Sequence, residues 1–209
     1  MSNLERDTVK RVRKALLELE LPDTIRELPS TARTAADAAE ALGVEVGAVV
    51  KTKVFTIGPR YVLTFVSAEN ECQPDQLPKV FGLDGDVVSP AQDLIRAVTG
   101  FEFGAVAPLG LMAPLPIAID GTLKKHDKLY VAAGHTHVVF ETTADELKTI
   151  TDGMVSYAVA KAPTKTETSA PQKPEVKLEA NREAEPELKP KSKEIGQASA
   201  SIPKRVKQT

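Results

Sequence analysis

The stretch Thr99-Gly100-Phe101-Glu102-Phe103-Gly104-Ala105-Val106-Ala107-Pro108-Leu109-Gly110-Leu111 holds three glycines and a proline, yet its other residues are mostly apolar. A solvent-facing loop of this length draws on Ser, Asn, Asp and Lys. Apolar residues punctuated by glycine indicate backbone that is buried or lies against another group. Glycine admits close approach and positive φ without a Cβ clash. On these residues alone the stretch is either a glycine-kinked strand corner of a small barrel or backbone placed close to a ligand.

Upstream of it, Ser89-Pro90 reads as a helix cap followed by proline at the first helical position. The helix after it buries Leu94 and Val98 and stops at Gly100. Before that, Asp86 to Val88 is a short strand and Pro74 to Val80 a short helix ending at Gly82. Thr52 to Ile57 and Tyr61 to Val66 make a hairpin around Gly58-Pro59. Thr34 to Leu42 is an alanine-rich helix closed by Gly43, and Val46 to Val50 a helical turn. Thr24 to Leu28 is a short strand. The first helix spans 4–20, with Val9, Val12, Leu16 and Leu19 at spacings of three and four, and Pro22 ends it.

Downstream, Leu115 to Ile119, Lys128 to Ala133 and His137 to Thr142 read as strands, with a break at Gly134-His135-Thr136. Thr143 to Ile150 is a last helix and Val155 to Val159 a closing strand. Short strands with both kinds of connection give a mixed α+β domain over 1–160, with its core in 25–160. Strict βαβ alternation is missing, so a partly closed sheet with helices packed outside it is expected. From Lys161 the composition turns to Pro, Lys, Glu, Thr and Ser, so 161–209 is expected to be a disordered tail. Its basic end, Lys204-Arg205-Val206-Lys207, either keeps the chain soluble or meets RNA or an acidic partner surface.

Charge and composition exclude several functions. Residues 161–209 carry 11 Lys and Arg against 7 Asp and Glu, leaving 16 against 22 in the body. An acidic body does not bind nucleic acid broadly, so any such contact is local. The one cysteine, Cys72, precludes an intramolecular disulfide framework and a thiolate zinc site. His135 and His137, two apart on a strand edge, share a face, but Val138, Val139 and Phe140 supply no third ligand; neither metal nor cofactor is expected. No P-loop, dinucleotide fingerprint or nucleophile elbow is present. No signal segment or membrane span is visible, so a cytoplasmic protein without membrane contact is expected. Lys51 follows Ala48-Val49-Val50 at a turn–strand junction. It is either a surface lysine whose stem covers apolar area or a cation at a pocket rim, placed to meet a phosphate or carboxylate.

The ordered set Val50-Lys51-Thr52, Thr99-Gly100-Phe101 with Gly104-x-x-x-Pro108-x-Gly110, Ile119-Asp120 and Tyr130-Val131-Ala132-Ala133-Gly134 resembles the YbaK/ProX aminoacyl-tRNA editing family over roughly residues 25–160. That family includes freestanding deacylases and the editing domain inserted in bacterial prolyl-tRNA synthetases. The resemblance implies a mixed, partly closed β-barrel surrounded by helices, with a pocket for the 3′ end of a mischarged tRNA. It implies catalytic parts for Lys51, Gly104 and Gly134. It also implies substrate contacts from Thr52, Gly100, Phe101, Ala105, Val106, Ala107, Pro108, Gly110, Asp120 and His135. The implied activity is trans-editing hydrolysis of an ester carrying a small amino acid, by substrate-assisted water attack. The implied partners are the aminoacyl-tRNA acceptor end and prolyl-tRNA synthetase or another synthetase. Members acting on cysteine-charged tRNA carry an acidic residue shortly after the second glycine block. Here His135-Thr136-His137-Val138-Val139-Phe140 has none before Glu141, which leaves alanine, serine or another small residue open. The alternative is a non-catalytic module of the same fold that binds tRNA or a synthetase.

Overall fold

Val9, Val12 and Leu16 are buried on one face of the first helix, α1 (Asp7–Glu18). The computed structural model describes residues 2–163, so the tail expected over 161–209 lies outside the described residues from 164 on. After α1 come β1 (Arg26–Glu27) and α2 (Ala35–Leu42). In α2 the Thr34 hydroxyl and the Asp37 carboxylate cap each other's backbone, and Gly43 turns left-handed at φ 69° to end the helix. A short 3₁₀ turn leads into the long hairpin of β2 (Val50–Ile57) and β3 (Arg60–Ser67). β4 (Glu71–Cys72), α3 (Leu77–Phe81), β5 (Val87–Val88) and α4 (Gln92–Thr99) follow. Beyond the glycine stretch lie β6 (Ile117–Asp120), β7 (Leu129–His135), β8 (Val138–Thr142), α5 (Ala144–Thr151), β9 (Met154–Ser156) and β10 (Ala160–Lys161).

These strands form three sheets: β5-β2-β3-β6-β9, β1-β8-β7 and β10-β4. β2 and β3 pair antiparallel along their whole length, whereas β3–β6 and β6–β9 are parallel. The expected partly closed barrel is therefore corrected to an α+β fold of separate sheets. Closure needs every strand bonded to the next around a circuit. Here β5 covers only Thr56 and Ile57 of β2, and one parallel bridge, Val49 to Tyr130, joins the β2 side to β7.

Two local expectations also change. α4 begins at Gln92 behind Ala91, with no side-chain cap, because Pro90 sits outside the first turn. Its buried face is Ile95 and Thr99, one residue along from Leu94 and Val98, and Leu94 is 45 % exposed. At the other glycine block the strand does not break at Gly134. β7 runs through it to His135 with a register shift, and the turn falls on Thr136 and His137. Gly134, at φ +87°, falls within that register shift.

The main core joins α1, one face of the β2–β3 hairpin, β6 to β8 and the glycine stretch. Val9, Val50, Val54, Phe101, Val106 and Phe140 share one apolar cluster, while Phe55, Ile57, Val66 and Cys72 belong to another on the far face of β2 and β3.

Candidate functional site

α1 brings the two glycine blocks together. The Thr8 hydroxyl donates to the Gly134 carbonyl at 2.7 Å. The backbone there is so close that a Cβ on Gly134 would lie 2.7 Å from the Thr8 carbonyl oxygen, at φ +87°. One turn on, Arg11 Nη2 donates to the Gly100 carbonyl at 2.7 Å and its guanidinium carbon sits 4.4 Å from the Phe101 ring centre. Gly104 faces the β7–β8 turn, where a Cβ on it would meet only Thr136 Cγ2, at 3.6 Å. Between these contacts lies a hollow of about 580 Å³ lined by residues 5–8 and by Arg96, Glu102, Ala105, Gly134, His135 and Thr136.

Of the expected substrate contacts, Ala105 and His135 line this hollow; of the expected catalytic residues, Gly134 lines it and Gly104 stands beside it. Phe101, Val106, Ala107, Pro108 and Leu109 are buried behind it, and the backbone of Gly110 packs on the Arg11 stem. The glycine stretch is thus an apolar buttress with its backbone toward the neighbouring elements. Among the described residues, the N–H groups of Val106, Ala107, Leu109 and Gly110 donate to no protein acceptor. Unpaired donors on buried residues are uncommon in folded chains.

His135 takes a defined protonation pattern. The backbone N–H of His137 donates to His135 Nδ1 at 3.2 Å, so the neutral ring carries its proton on Nε2. Burial pushes the imidazole pKa down, and Arg6 and His137 push the same way against Glu27. The sign of the stability effect follows. The folded chain binds this proton less readily than the unfolded chain, so stability is fully present above the ordinary value of 6.5 and declines as pH falls through it toward the folded value. Urea midpoints measured from about pH 8 to about pH 5 should fall more steeply for the wild-type chain than for His135→Gln. Parallel curves would show that His135 contributes nothing to the slope.

Lys51 and Thr52 point to opposite faces of β2, as neighbours in a strand must. Thr52 shares the face of Val50 and Val54, toward the core on which the glycine stretch packs, and its hydroxyl is buried without a partner among the described residues. Lys51 lies outside the lining of the hollow. Its ammonium donates to the Asn70 carbonyl at 2.7 Å and stands 3.7 Å from the Glu71 carboxylate. Burial lowers its pKa, with Glu71 opposing and Lys53 assisting. The side chain is 27 % exposed, and its head group is engaged by Asn70 and Glu71.

Asp120 lies outside the lining of the hollow, in a buried polar network. It is 0 % exposed, and its carboxylate accepts from Ser67 N at 3.3 Å, Asn70 Nδ2 at 3.0 Å, Thr122 N at 2.9 Å and Thr122 Oγ1 at 2.8 Å. Every one of those donors is internal. Its effect reaches Lys51 through Asn70, whose side chain binds Asp120 while its carbonyl holds the ammonium. Arg11, Thr8 and Asn70 are the site-building residues that local sequence patterns miss. Thr8, Arg11 and Ala15 form a half-buried stripe beside the apolar face of α1, which their residue types alone do not announce. Among the described residues no cluster of His, Cys, Asp and Glu could hold a metal ion, and no helix is long and apolar enough to cross a membrane.

This architecture recurs in known proteins. A candidate trans-editing enzyme for prolyl-tRNA synthetase of known crystal structure is 32 % identical, with a TM-score of 0.68 over 72 % of this chain and 96 % of its own. The hypothetical protein APE2540 shares the fold at 21 % identity, with a TM-score of 0.65 over 72 % of this chain and 99 % of its own. The uncharacterized protein YwhH of Bacillus subtilis (strain 168) is 25 % identical over 155 residues, which are 74 % of this chain and 98 % of that protein. Residues 29–150, which hold Lys51, the glycine stretch and the bulge at Gly134, match the family described as the aminoacyl-tRNA editing domain. With that match and the shared fold of the solved trans-editing candidate in agreement, the chain belongs to the aminoacyl-tRNA editing domain family.

Proposed function

We propose that this chain is a deacylase that hydrolyses, in trans, the ester joining a small amino acid to the 3′ end of a mischarged tRNA. The observation that carries the reading is the hollow bordered by both glycine blocks, with Ala105 and Gly104 on one side and Gly134 and His135 on the other. An aminoacyl ester is already activated, so its hydrolysis needs stabilisation of the developing oxyanion more than a strong protein nucleophile. One well-placed N–H donor is worth about 2.7–4 kcal/mol for that purpose. Water attacks the carbonyl, assisted by the neighbouring ribose hydroxyl of the tRNA; the ester C–O bond breaks, and the amino acid leaves as its carboxylate while the ribose oxygen takes up the proton. Neutral His135 presents an N–H, not a lone pair, at Nε2, so it serves to orient substrate and not as a base.

Lys51, held away from the hollow by Asn70 and Glu71, grips the terminal adenosine or its phosphate. Selection against larger amino acids comes from the space between Ala105, Gly134 and Thr136, where one methylene is worth about 1–3 kcal/mol. The acidic body confines RNA contact to the acceptor end. The reaction places the chain in translation quality control, in the cytoplasm, beside prolyl-tRNA synthetase or another synthetase that makes the error.

The test is a panel of tRNAs charged with alanine, serine, cysteine and larger residues, incubated with the wild-type chain and with Lys51→Ala. Ester loss confined to a small amino acid is expected, with kcat/KM at least about tenfold lower in the variant, the loss of one charged hydrogen bond of about 1.5–3 kcal/mol. Ester loss no faster than in buffer for every substrate would overturn the enzyme reading, and tRNA binding without turnover would favour a binding module.

A further inference from the structure

We infer that Arg11, outside the residues 29–150 that match the family description, is the positioning residue that fixes the width of the hollow and with it the size limit on the amino acid accepted. The inference rests on the editing reading above for its substrate and on the geometry of α1 for its substance.

A single side chain meets the glycine stretch at both ends. At the start, Nη2 binds the Gly100 carbonyl and the guanidinium plane covers Phe101. At the finish, Nη1 lies 3.8 Å from Met112 Sδ, and the stem packs so tightly on Gly110 that a Cβ there would be 3.1 Å from Arg11 Cγ. Gly100 is also the left-handed residue that ends α4, at φ 75°. Its carbonyl therefore lies at the negative end of a helix, where a cation is favoured. The same helix α1 grips the opposite wall through the Thr8 bond to Gly134.

The loop and β7 are thus set against one abutment, and the span between Ala105 and Gly134 follows from where Arg11 and Thr8 hold them. Removing the guanidinium frees the loop from α1 without touching a group that lines the hollow, because Arg11 is not among its lining residues. Lysine is no substitute. An ammonium cannot cover a ring as a plane while donating along a fork.

Arg11→Met, which keeps an apolar stem, and Arg11→Lys test this in the full chain. The readout is the ratio of kcat/KM for the preferred small aminoacyl-tRNA to that for one bearing a residue larger by one or two methylenes. Both variants should lower the ratio by about tenfold or more, the discrimination that a methylene-sized fit supplies, with amide exchange faster across residues 104–112. A general loss of stability would depress both substrates and leave the ratio unmoved. A folded variant whose ratio stays within about twofold of wild type, while Lys51→Ala is inactive, would overturn the inference and leave the editing reading intact. Should the wild-type chain hydrolyse no ester, the editing reading fails, and so does the assignment of a size limit to Arg11. Faster exchange across 104–112 would then support only the clamp itself, and unchanged exchange would overturn that as well.

Discussion

Asp120→Ala should lower folding stability by about 3–5 kcal/mol, through the same mechanism by which removing one partner from a buried polar set is costly. The carboxylate is wholly buried and accepts four hydrogen bonds from Ser67, Asn70 and Thr122. Alanine leaves those donors facing a cavity, and each stranded buried donor costs about 1–3 kcal/mol. The loss propagates. Asn70 is held by Asp120 and Thr122, and its carbonyl is the hydrogen-bond acceptor of the Lys51 ammonium. Urea denaturation should show a much lower midpoint at unchanged m-value. Residual activity, measured where the variant is still folded, should fall with that of Lys51→Ala. A stability change under about 1 kcal/mol would mean the network relaxes onto water, and the carboxylate would then not be what holds Lys51.

Gly134→Ala is expected to be nearly as severe, for a different reason. A left-handed backbone costs an L-residue about 1–2 kcal/mol. Here the added methyl also meets backbone, with the Thr8 carbonyl oxygen at 2.7 Å and carbon at 2.8 Å and Val9 nitrogen at 3.1 Å. Backbone of a packed helix cannot swing aside as a side-chain tip can, so an overpacking cost of about 1–3 kcal/mol adds to the strain. The total of about 2–5 kcal/mol should appear as a lower urea midpoint, with faster amide exchange in α1. Gly104→Ala supplies the contrast. Its φ of +80° is equally left-handed, but the only neighbour is Thr136 Cγ2 at 3.6 Å. It should lose only the strain, about 1–2 kcal/mol. Equal losses at the two positions would show that α1 yields freely, against the abutment described for it.

What could be read from the sequence was mostly local. The spacing of Val9, Val12 and Leu16 gave the buried face of α1, and Gly43, Gly82 and Gly100 each end a helix in the left-handed region. Leu19 falls just past α1 and stays 47 % exposed, because periodicity carries no information about where a helix stops packing. Sheet closure was not legible, since it depends on which edges meet, and the two-residue strands β1, β4, β5 and β10 carry almost no pattern. In the site, the ordered glycine blocks were readable because φ and close approach restrict residue type. Arg11 and Asn70 were not. Their roles arise from partners 89 and 50 residues away, and on local spacing they are an ordinary helix arginine and turn asparagine.

The grip of α1 on Gly134 also sets an order of events during synthesis. Thr8 and Gly134 are 126 residues apart, so this seat of α1 cannot form until β7 has been made. Until β7 leaves the ribosome, the stripe of Val9, Val12 and Leu16 has no such neighbour to cover it. Contacts this distant in sequence form slowly, because the loop between them must close first. The hollow is therefore completed only after most of the described chain has emerged, and a truncated product ending before β7 would hold α1 and the glycine stretch without the facing wall at Gly134.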